Sequence, residues 1–284
     1  MRFPMRGLAP LAAALGLAWA AVGARAQTAA PAGEVSGRAT EHTPASAANV
    51  VAQANVALPA SVTGGAVFFG KARDLPKETR GQVPVVIFLH GSSGLGLAAI
   101  EEWQRWLAGL GIASIAPDSF ALPDRVSYKS PIPRETYEKI HRLRASEIVL
   151  ALKAVGEAPW ADRTRLVLAG TSEGATAVAR EGAKDFAARL IFSWSCENNY
   201  FVEAHATQVV GDQPVLNVIS SVDPFFSPSN GWLGNPQARG HCAAAFAESR
   251  RAVIVLIPGA PHTLINLPFV RGVTQSFLET ALKR

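Results

Sequence analysis

The chain has 284 residues, of which 49% are hydrophobic and 17% are charged, with a formal net charge of +5. A body of about 230 residues beyond the N-terminal region is long enough for one domain with a large core. Lys and Arg form no stripe interleaved with aromatic residues, which argues against nucleic acid as a partner.

Residues 1–26 have the three parts of a cleavable signal peptide. Arg2 and Arg6 form a basic n-region, the apolar stretch LAPLAAALGLAWAAV follows, and the segment ARA ends the region. The apolar stretch is shorter than the roughly 20 residues that span a bilayer. We expect cleavage after Ala26 and export to the periplasm or the medium without stable membrane insertion; an uncleaved anchor is the alternative. Loss of three arginines would leave 24 basic against 22 acidic residues, a net charge of +2.

Residues 27–55 are rich in Ala, Thr, Ser, Pro and Gly and contain no aromatic residue. Such a segment buries too little apolar surface to offset the entropy lost on ordering. The composition therefore predicts a mobile leader, followed by a single domain over residues 56–284.

Short apolar runs alternate with longer amphipathic stretches along this domain. Strands are predicted at 83–91 (VPVVIFLHG), 111–119, 165–172, 189–195, 214–223 and 251–259. Helices are predicted at 96–111 (GLAAIEEWQRWLAGLG), 134–156, 175–186 and 273–284. Strands that alternate with helices indicate an α/β fold of three layers, with a mostly parallel central sheet covered by helices on both faces.

Three polar residues follow three of the later strands. Ser172 comes after RLVLAGT, Asp223 after VLNVISSV and His262 after VIVLIPGAP. The loops beyond the carboxyl ends of parallel strands are where functional residues gather. A serine hydroxyl needs a base to become a nucleophile, and the base needs a carboxylate to fix its tautomer. The order Ser…Asp…His therefore predicts a catalytic triad with Ser172 as nucleophile.

The pattern GTSEG around the serine is typical of a tight turn between a strand and a helix. Gly170 and Gly174 allow close backbone approach where a Cβ atom would collide. The amide of Glu173 would begin the following helix and is one predicted oxyanion donor. The other is predicted in the loop HGSSG (90–94), with the amide of Ser92 preferred and that of Ser93 as the alternative. We expect the Glu173 amide to matter more than its carboxylate.

The stretches VVIFLHGSSGLG, LAGLGIASIAPDSFALPDR, LAGTSEGA and PGAPHTL resemble the α/β-hydrolase superfamily, particularly its dienelactone-hydrolase-like branch. The resemblance covers roughly residues 65–284. It implies an α/β-hydrolase fold and a triad of Ser172, His262 and Asp223 acting on an ester, lactone, thioester or amide. Dienelactone hydrolases proper use a cysteine nucleophile where this chain has Ser172, so dienelactone itself is not the expected substrate.

Cys196 and Cys242 are the two cysteines of the chain, and in an oxidising compartment they are predicted to form a disulfide. Their spacing fits no zinc pattern, so neither a metal nor another cofactor is expected. The bridge would join 193–201 to 224–242, two aromatic-rich loops that we expect to set specificity. It either holds a cap over Ser172 or only stabilises the fold.

Several alternatives stay open at this stage. Glu197 follows the preceding strand and is the alternative acid. Asp223 precedes a proline, and the alternative to its catalytic role is that it only starts a turn. Arg144 and Glu147, three apart on a helix, are read as a surface or packing ion pair. The expected function is an exported serine hydrolase acting on a small-molecule or oligomeric acyl substrate. One alternative keeps the triad but cleaves amide bonds, either as an exported peptidase or as an amidase that degrades an anionic polyamide. Such a polyamide would be steered by a basic cluster of Arg134, Lys139, Arg142 and Arg144. The other alternative is a non-catalytic protein that binds a carbohydrate or a peptide.

Overall fold

The computed structural model describes residues 29–205, 207–209 and 211–283. The predicted signal peptide and its cleavage site lie outside these residues. The strands are β1 Glu34–Ser36, β2 Asn55–Leu58, β3 Phe68–Lys71, β4 Val83–Leu89, β5 Ala113–Ala116, β6 Ser127–Lys129, β7 Ala161–Thr171, β8 Ala188–Phe192, β9 Val215–Ser220 and β10 Ala252–Ile257. The helices are α1 Pro44–Ala52, α2 Ala60–Thr63, α3 Ala98–Gly109, α4 Arg134–Glu157, α5 Glu173–Arg180 and α6 Pro268–Ala281. In this part of the chain, no helix combines the length and apolarity needed to cross a bilayer.

Eight strands form the central sheet in the order β10-β9-β8-β7-β4-β5-β2-β3. The six strands from β10 to β5 are mutually parallel, and β2 is antiparallel to both of its neighbours. All six predicted strands are present in this parallel part, where strands such as β4, β8 and β9 are buried over most or all of their length. The parallel direction brings the carboxyl ends of β4, β7, β9 and β10 to one edge of the sheet.

Helices cover both faces of the sheet, as predicted. On one face, Trp103 of α3 and Val270 of α6 belong to a core cluster with Phe88 of β4 and Phe192 of β8. On the other face, Ile148 of α4 packs in a second cluster with residues of α5 and with alternate residues of the same strands. The three-layer α/β architecture expected from the alternating pattern is confirmed.

The prediction of a mobile leader over 27–55 is wrong for its described part. Strand β1 pairs antiparallel with β6, and α1 begins with a capping box in which Thr43 and Ser46 bond reciprocally. Val50 of α1 is fully buried, and Asn49 donates a hydrogen bond to the carbonyl of Ala121. These tertiary contacts supply the burial and hydrogen bonds that the composition of the segment does not suggest. Strand β2 spans the predicted boundary between the leader and the domain, at residues 55 and 56, and joins the central sheet.

Candidate active site

Ser172 occupies a strained turn between β7 and α5. Its backbone has φ 53° and ψ −119°, a region that costs a residue other than glycine about 1–3 kcal/mol. A Cβ atom at Gly174 would overlap the carbonyl oxygen of Leu89 at the end of β4. One at Gly170 would lie 2.7 Å from backbone atoms of Gly174. The glycines therefore have the steric role predicted for them, and the turn presents Ser172 at the carboxyl edge of the sheet.

His262 and Asp223 meet at the same edge, in the loops after β10 and β9. The Nδ1 atom of His262 lies 2.7 Å from Oδ2 of Asp223, whose side chain is fully buried. The other carboxylate oxygen, Oδ1, accepts backbone N–H bonds from Phe225 and Phe226, each 3.0 Å long. The same aspartate thus starts a turn and binds the imidazole. With Nδ1 engaged by Asp223, Nε2 of His262 is the nitrogen left for a proton transfer.

Ser172 and His262 line one cleft of about 650 Å³, counting the part open to solvent. Half of its described lining residues are Phe, Tyr, Leu or Ile, and none of them is Lys or Arg. The cleft is lined by Gly91, Ser92, Ser93, Leu97, Ile100, Tyr128, Ser130, Thr171, Ser172, Tyr200, Phe201, Phe225, Phe226, His262, Thr263 and Ile265. Over the described ranges, no three His, Cys, Asp or Glu side chains are grouped so that they could hold a metal ion.

The predicted oxyanion loop lies beside Ser172. Gly91 and Ser92 line the cleft, and a Cβ atom at Gly91 would approach the Cβ of Ser172 to 3.3 Å. Buried His90 holds the base of this loop: Nδ1 bonds the carbonyl of Gly91 at 2.7 Å, and Nε2 accepts the N–H of Ser119 at 3.1 Å. Burial, and next the charge of Arg144, lower the pKa of His90 well below its usual value. His90 is therefore neutral and braces the loop.

The side chain of Glu173 is held in buried ion pairs that the sequence did not indicate. It is fully buried, and its Oε1 lies 2.6 Å from Nη2 of Arg125 and 3.6 Å from Nε of Arg144. Arg144 and Glu147, expected as a surface or packing pair, are both fully buried and 2.9 Å apart. Sequence reasoning missed Arg125, although it lies in a stretch that carried the superfamily resemblance. The only local signal was a Glu immediately after the serine.

The other sequence candidates do not line the cleft of Ser172 and His262, or they bind other partners. The carboxylate of Glu197 accepts the backbone N–H groups of Arg239 and Gly240, so it braces a loop. Of the basic cluster, Lys139 pairs with Glu135 on the surface, and none of its four members lines the cleft. The structure thus brings together Ser172, His262, Asp223 and the loop of Ser92.

A disulfide joins Cys196 to Cys242, as predicted. It links the two loops that were expected to set specificity. The first loop contributes Tyr200 and Phe201 to the cleft, and the second contributes the pair Phe225 and Phe226. The bridge therefore ties together the segments that carry the aromatic wall.

No protein-family model matches the chain, and no curated protein matches it significantly. Solved structures do resemble it. A cold-adapted esterase from an Arctic intertidal metagenomic library superposes with a TM-score of 0.53 at 19% identity, over 81% of this chain and 95% of that one. An α/β serine hydrolase without a lid, from Xanthomonas campestris, has a TM-score of 0.51 at 16% identity, over 81% and 89%.

A dienelactone hydrolase from Anabaena variabilis superposes with a TM-score of 0.49 at 16% identity, over 80% of this chain and 88% of that one. The fold assignment rests on the two structures with higher scores. The chain has the α/β-hydrolase fold, as its sequence resemblance implied. Identities this low establish the fold and leave the reaction to be argued from the site.

Proposed function

We propose that this chain, which has the α/β-hydrolase fold, is an exported serine hydrolase that cleaves a carboxylic ester or related acyl bond. One arrangement carries the proposal: Ser172, strained at φ 53°, shares a cleft with His262, whose Nδ1 lies 2.7 Å from buried Asp223. Backbone strain of this kind needs surroundings that enforce it, and it clusters at functional sites.

In the proposed acylation, Ser172 Oγ attacks the carbonyl carbon of the substrate while Nε2 of His262 takes the hydroxyl proton. Asp223 stabilises the resulting imidazolium. The tetrahedral intermediate collapses as His262 returns the proton to the leaving alcohol, and the acyl group stays on Ser172. Water then attacks this acyl-enzyme, giving its proton to His262, and the second collapse releases the acid and restores the Ser172 hydroxyl.

The negative charge that develops on the carbonyl oxygen needs donors in place before the reaction. We assign this role to the backbone amides of Ser92 and Glu173. The amide of Glu173 is the first of α5 and has no partner within the helix, because the first turn has no preceding carbonyls. Gly91, the neighbour of Ser92, lies next to the Cβ of Ser172, which supports an amide donor from this loop.

The character of the cleft supports an uncharged substrate. Its described wall combines aromatic side chains such as Tyr200, Phe201 and Phe225 with the small Ser92 and Ser93, and it carries no fixed cation. An anionic polyamide would need positive charge near the scissile bond. We therefore favour an uncharged ester whose acyl or alcohol part is apolar.

Export is part of the proposal. The predicted signal peptide lies outside the described residues, and the disulfide is compatible with an oxidising compartment. Sequencing the N-terminus of protein recovered from the periplasm or the medium tests it. Gln27 is the expected first residue, and full-length protein retained in the cytoplasm would contradict export.

Labelling with a fluorophosphonate probe tests the reaction. The wild type should label, Ser172→Ala should not, and Ser276→Ala, which changes an exposed serine of α6, should label normally. A series of p-nitrophenyl esters against p-nitroanilides then separates an esterase from an amidase. Wild-type protein that never labels, or full esterase activity in Ser172→Ala, would overturn the proposal.

A further inference from the structure

Four charged side chains form a buried cluster beneath the nucleophile turn: Arg125, Arg144, Glu147 and Glu173. None is more than 6% exposed, and the two positive charges balance the two negative ones. A buried ion pair can often be replaced by apolar packing at no loss of stability. Stability alone therefore does not account for four buried charges next to the reacting serine.

Glu173 connects the cluster to the nucleophile turn. It directly follows Ser172, and its Oε1 lies 2.6 Å from Nη2 of Arg125 and 3.6 Å from Nε of Arg144. Burial acts to raise the pKa of this carboxyl, but the charges of Arg125 and Arg144, together with a hydrogen bond from Tyr128 and the charge of His141, outweigh it and hold the pKa below the usual value. Glu173 is therefore ionised and anchors the first residue of α5 from inside.

Arg144 connects the same cluster to the oxyanion loop. Its Nη2 atom donates to the carbonyl of His90 at 2.9 Å, and Nη1 lies 3.2 Å from Nε2 of His90. Nη1 is also 2.9 Å from the carboxylate of Glu147, which helps to fix the guanidinium. His90 in turn bonds the carbonyl of Gly91, the residue that precedes Ser92.

Arg125 adds a third connection. Its Nε donates to Oγ of Ser119 at 2.7 Å, and the N–H of Ser119 bonds Nε2 of His90. Two routes of hydrogen bonds and ion pairs therefore run between Glu173 and His90. They join the two backbone segments that carry the amides assigned to the oxyanion.

We propose that Glu173 and Arg144 are positioning residues that set the separation between the nucleophile turn and the oxyanion loop. This inference rests on the proposed hydrolase function. This separation can change only slightly, because the loop and Ser172 are already in close contact. A Cβ atom added at Gly91 would lie 3.3 Å from the Cβ of Ser172. A misplacement of about 1 Å costs about 100-fold in rate.

Glu173→Gln tests the proposal, because it keeps the shape of the side chain and removes its charge. We expect kcat to fall about 10-fold to 100-fold with KM within about 3-fold, since the transition state loses its donors more than the ground state does. The rate of fluorophosphonate labelling should fall by the same factor. Affinity for an alkyl boronic acid, whose adduct places an oxygen in the oxyanion hole, should fall as well.

The chain offers a matched control. Glu138 of α4 pairs with Arg180 of α5 at 2.8 Å, so this pair joins the same two helices at the end of α5 that is remote from Ser172. Glu138→Gln should change the melting temperature and leave kcat, KM and boronic acid affinity at wild-type values. A loss of kcat equal to that in Glu173→Gln would assign the effect to helix packing and overturn the proposal.

A second variant separates the effect on positioning from the effect on stability. It also tests the proposal if Glu173→Gln does not fold. Arg144→Met combined with Glu147→Gln removes one charge of each sign and so leaves the buried site balanced. It should be more stable than Arg144→Met alone, yet retain the low kcat, because the bond to the His90 carbonyl is still missing. Recovery of kcat together with stability would refute a positioning role.

The proposed function and this inference fail in different ways. Wild-type protein that does not label removes both. Wild-type protein that labels through Ser172, with Glu173→Gln labelling equally fast, removes only the positioning role.

Discussion

Asp223→Asn should abolish most of the activity without unfolding the protein. The hydrogen bonds around Asp223 determine the orientation of the new side-chain amide. Oδ1 of Asp223 accepts two backbone N–H bonds, from Phe225 and Phe226. An NH2 group cannot accept those bonds, so the amide oxygen of the asparagine has to stay there. The NH2 group is then directed at Nδ1 of His262, at the position where Oδ2 now lies 2.7 Å away.

A donor at that position forces the wrong tautomer on His262. Nδ1 must become the acceptor, so the proton moves to Nε2, the nitrogen that should accept the proton of Ser172. An Asp-to-Asn change that enforces this tautomer costs about 10⁴-fold in kcat, or about 5 kcal/mol of transition-state stabilisation. We expect a loss of about 10³-fold to 10⁴-fold in kcat/KM, with a melting temperature near that of the wild type because both turn hydrogen bonds survive.

Steady-state hydrolysis of a p-nitrophenyl ester, together with thermal unfolding, measures both expectations. Glu197→Gln is the matched control, because Glu197 is the other carboxylate after a neighbouring strand and accepts the backbone N–H groups of Arg239 and Gly240 in a loop. It should keep its activity within about 3-fold. An Asp223→Asn enzyme within 10-fold of the wild type, or an inactive Glu197→Gln, would refute the reasoning.

Gly174→Ala should cost about 3 kcal/mol or more of stability, because its Cβ would overlap the carbonyl oxygen of Leu89; an unchanged unfolding midpoint in urea would contradict this. His141→Gln should flatten the pH dependence of stability. Burial lowers the pKa of His141 to about 4, so below pH 6.5 the unfolded chain takes up a proton that the native state refuses, and wild-type stability falls from there to about pH 4. Melting temperatures from pH 8 to pH 4 measure this decrease in both proteins. Equal slopes in the wild type and in His141→Gln would exclude a contribution of His141. Replacing Cys196 and Cys242 together by serine should remove up to about 4 kcal/mol of stability and raise KM for aryl esters, since their loops carry the cleft wall; unchanged values of both would rule out a cap and a stabilising role alike.

Local sequence pattern was sufficient for the parallel strands and for the order of the candidate triad. Strands such as β4 are buried on both faces, and they read as continuous apolar runs. Ser172, Asp223 and His262 were found because each follows such a run, and parallel strands bring those ends to one edge. The disulfide followed from the expected compartment and the count of two cysteines.

The N-terminal segment shows where local pattern fails. Residues 44–52 have no aromatic anchor and form too short a segment to hold a helix in isolation even with several alanines, yet they form α1 with Val50 buried. Short helices and three-residue strands such as β1 are stable only through packing and pairing partners that are distant in the chain. The composition of the segment carries no information about those distant partners, and a prediction based on composition therefore misses α1 and β1.

The sequence by itself determined the α/β alternation, the strained serine turn and the identity of the three polar residues at the strand ends, because each is written in a few consecutive residues. Only the tertiary structure decided that Asp223, and not Glu197, faces His262, and that Glu173 and Arg144 lie buried together beneath the site. Arg125, Arg144 and Glu173 come from three separate parts of the chain. Their charges acquire partners only when the fold brings these three parts together and removes them from water.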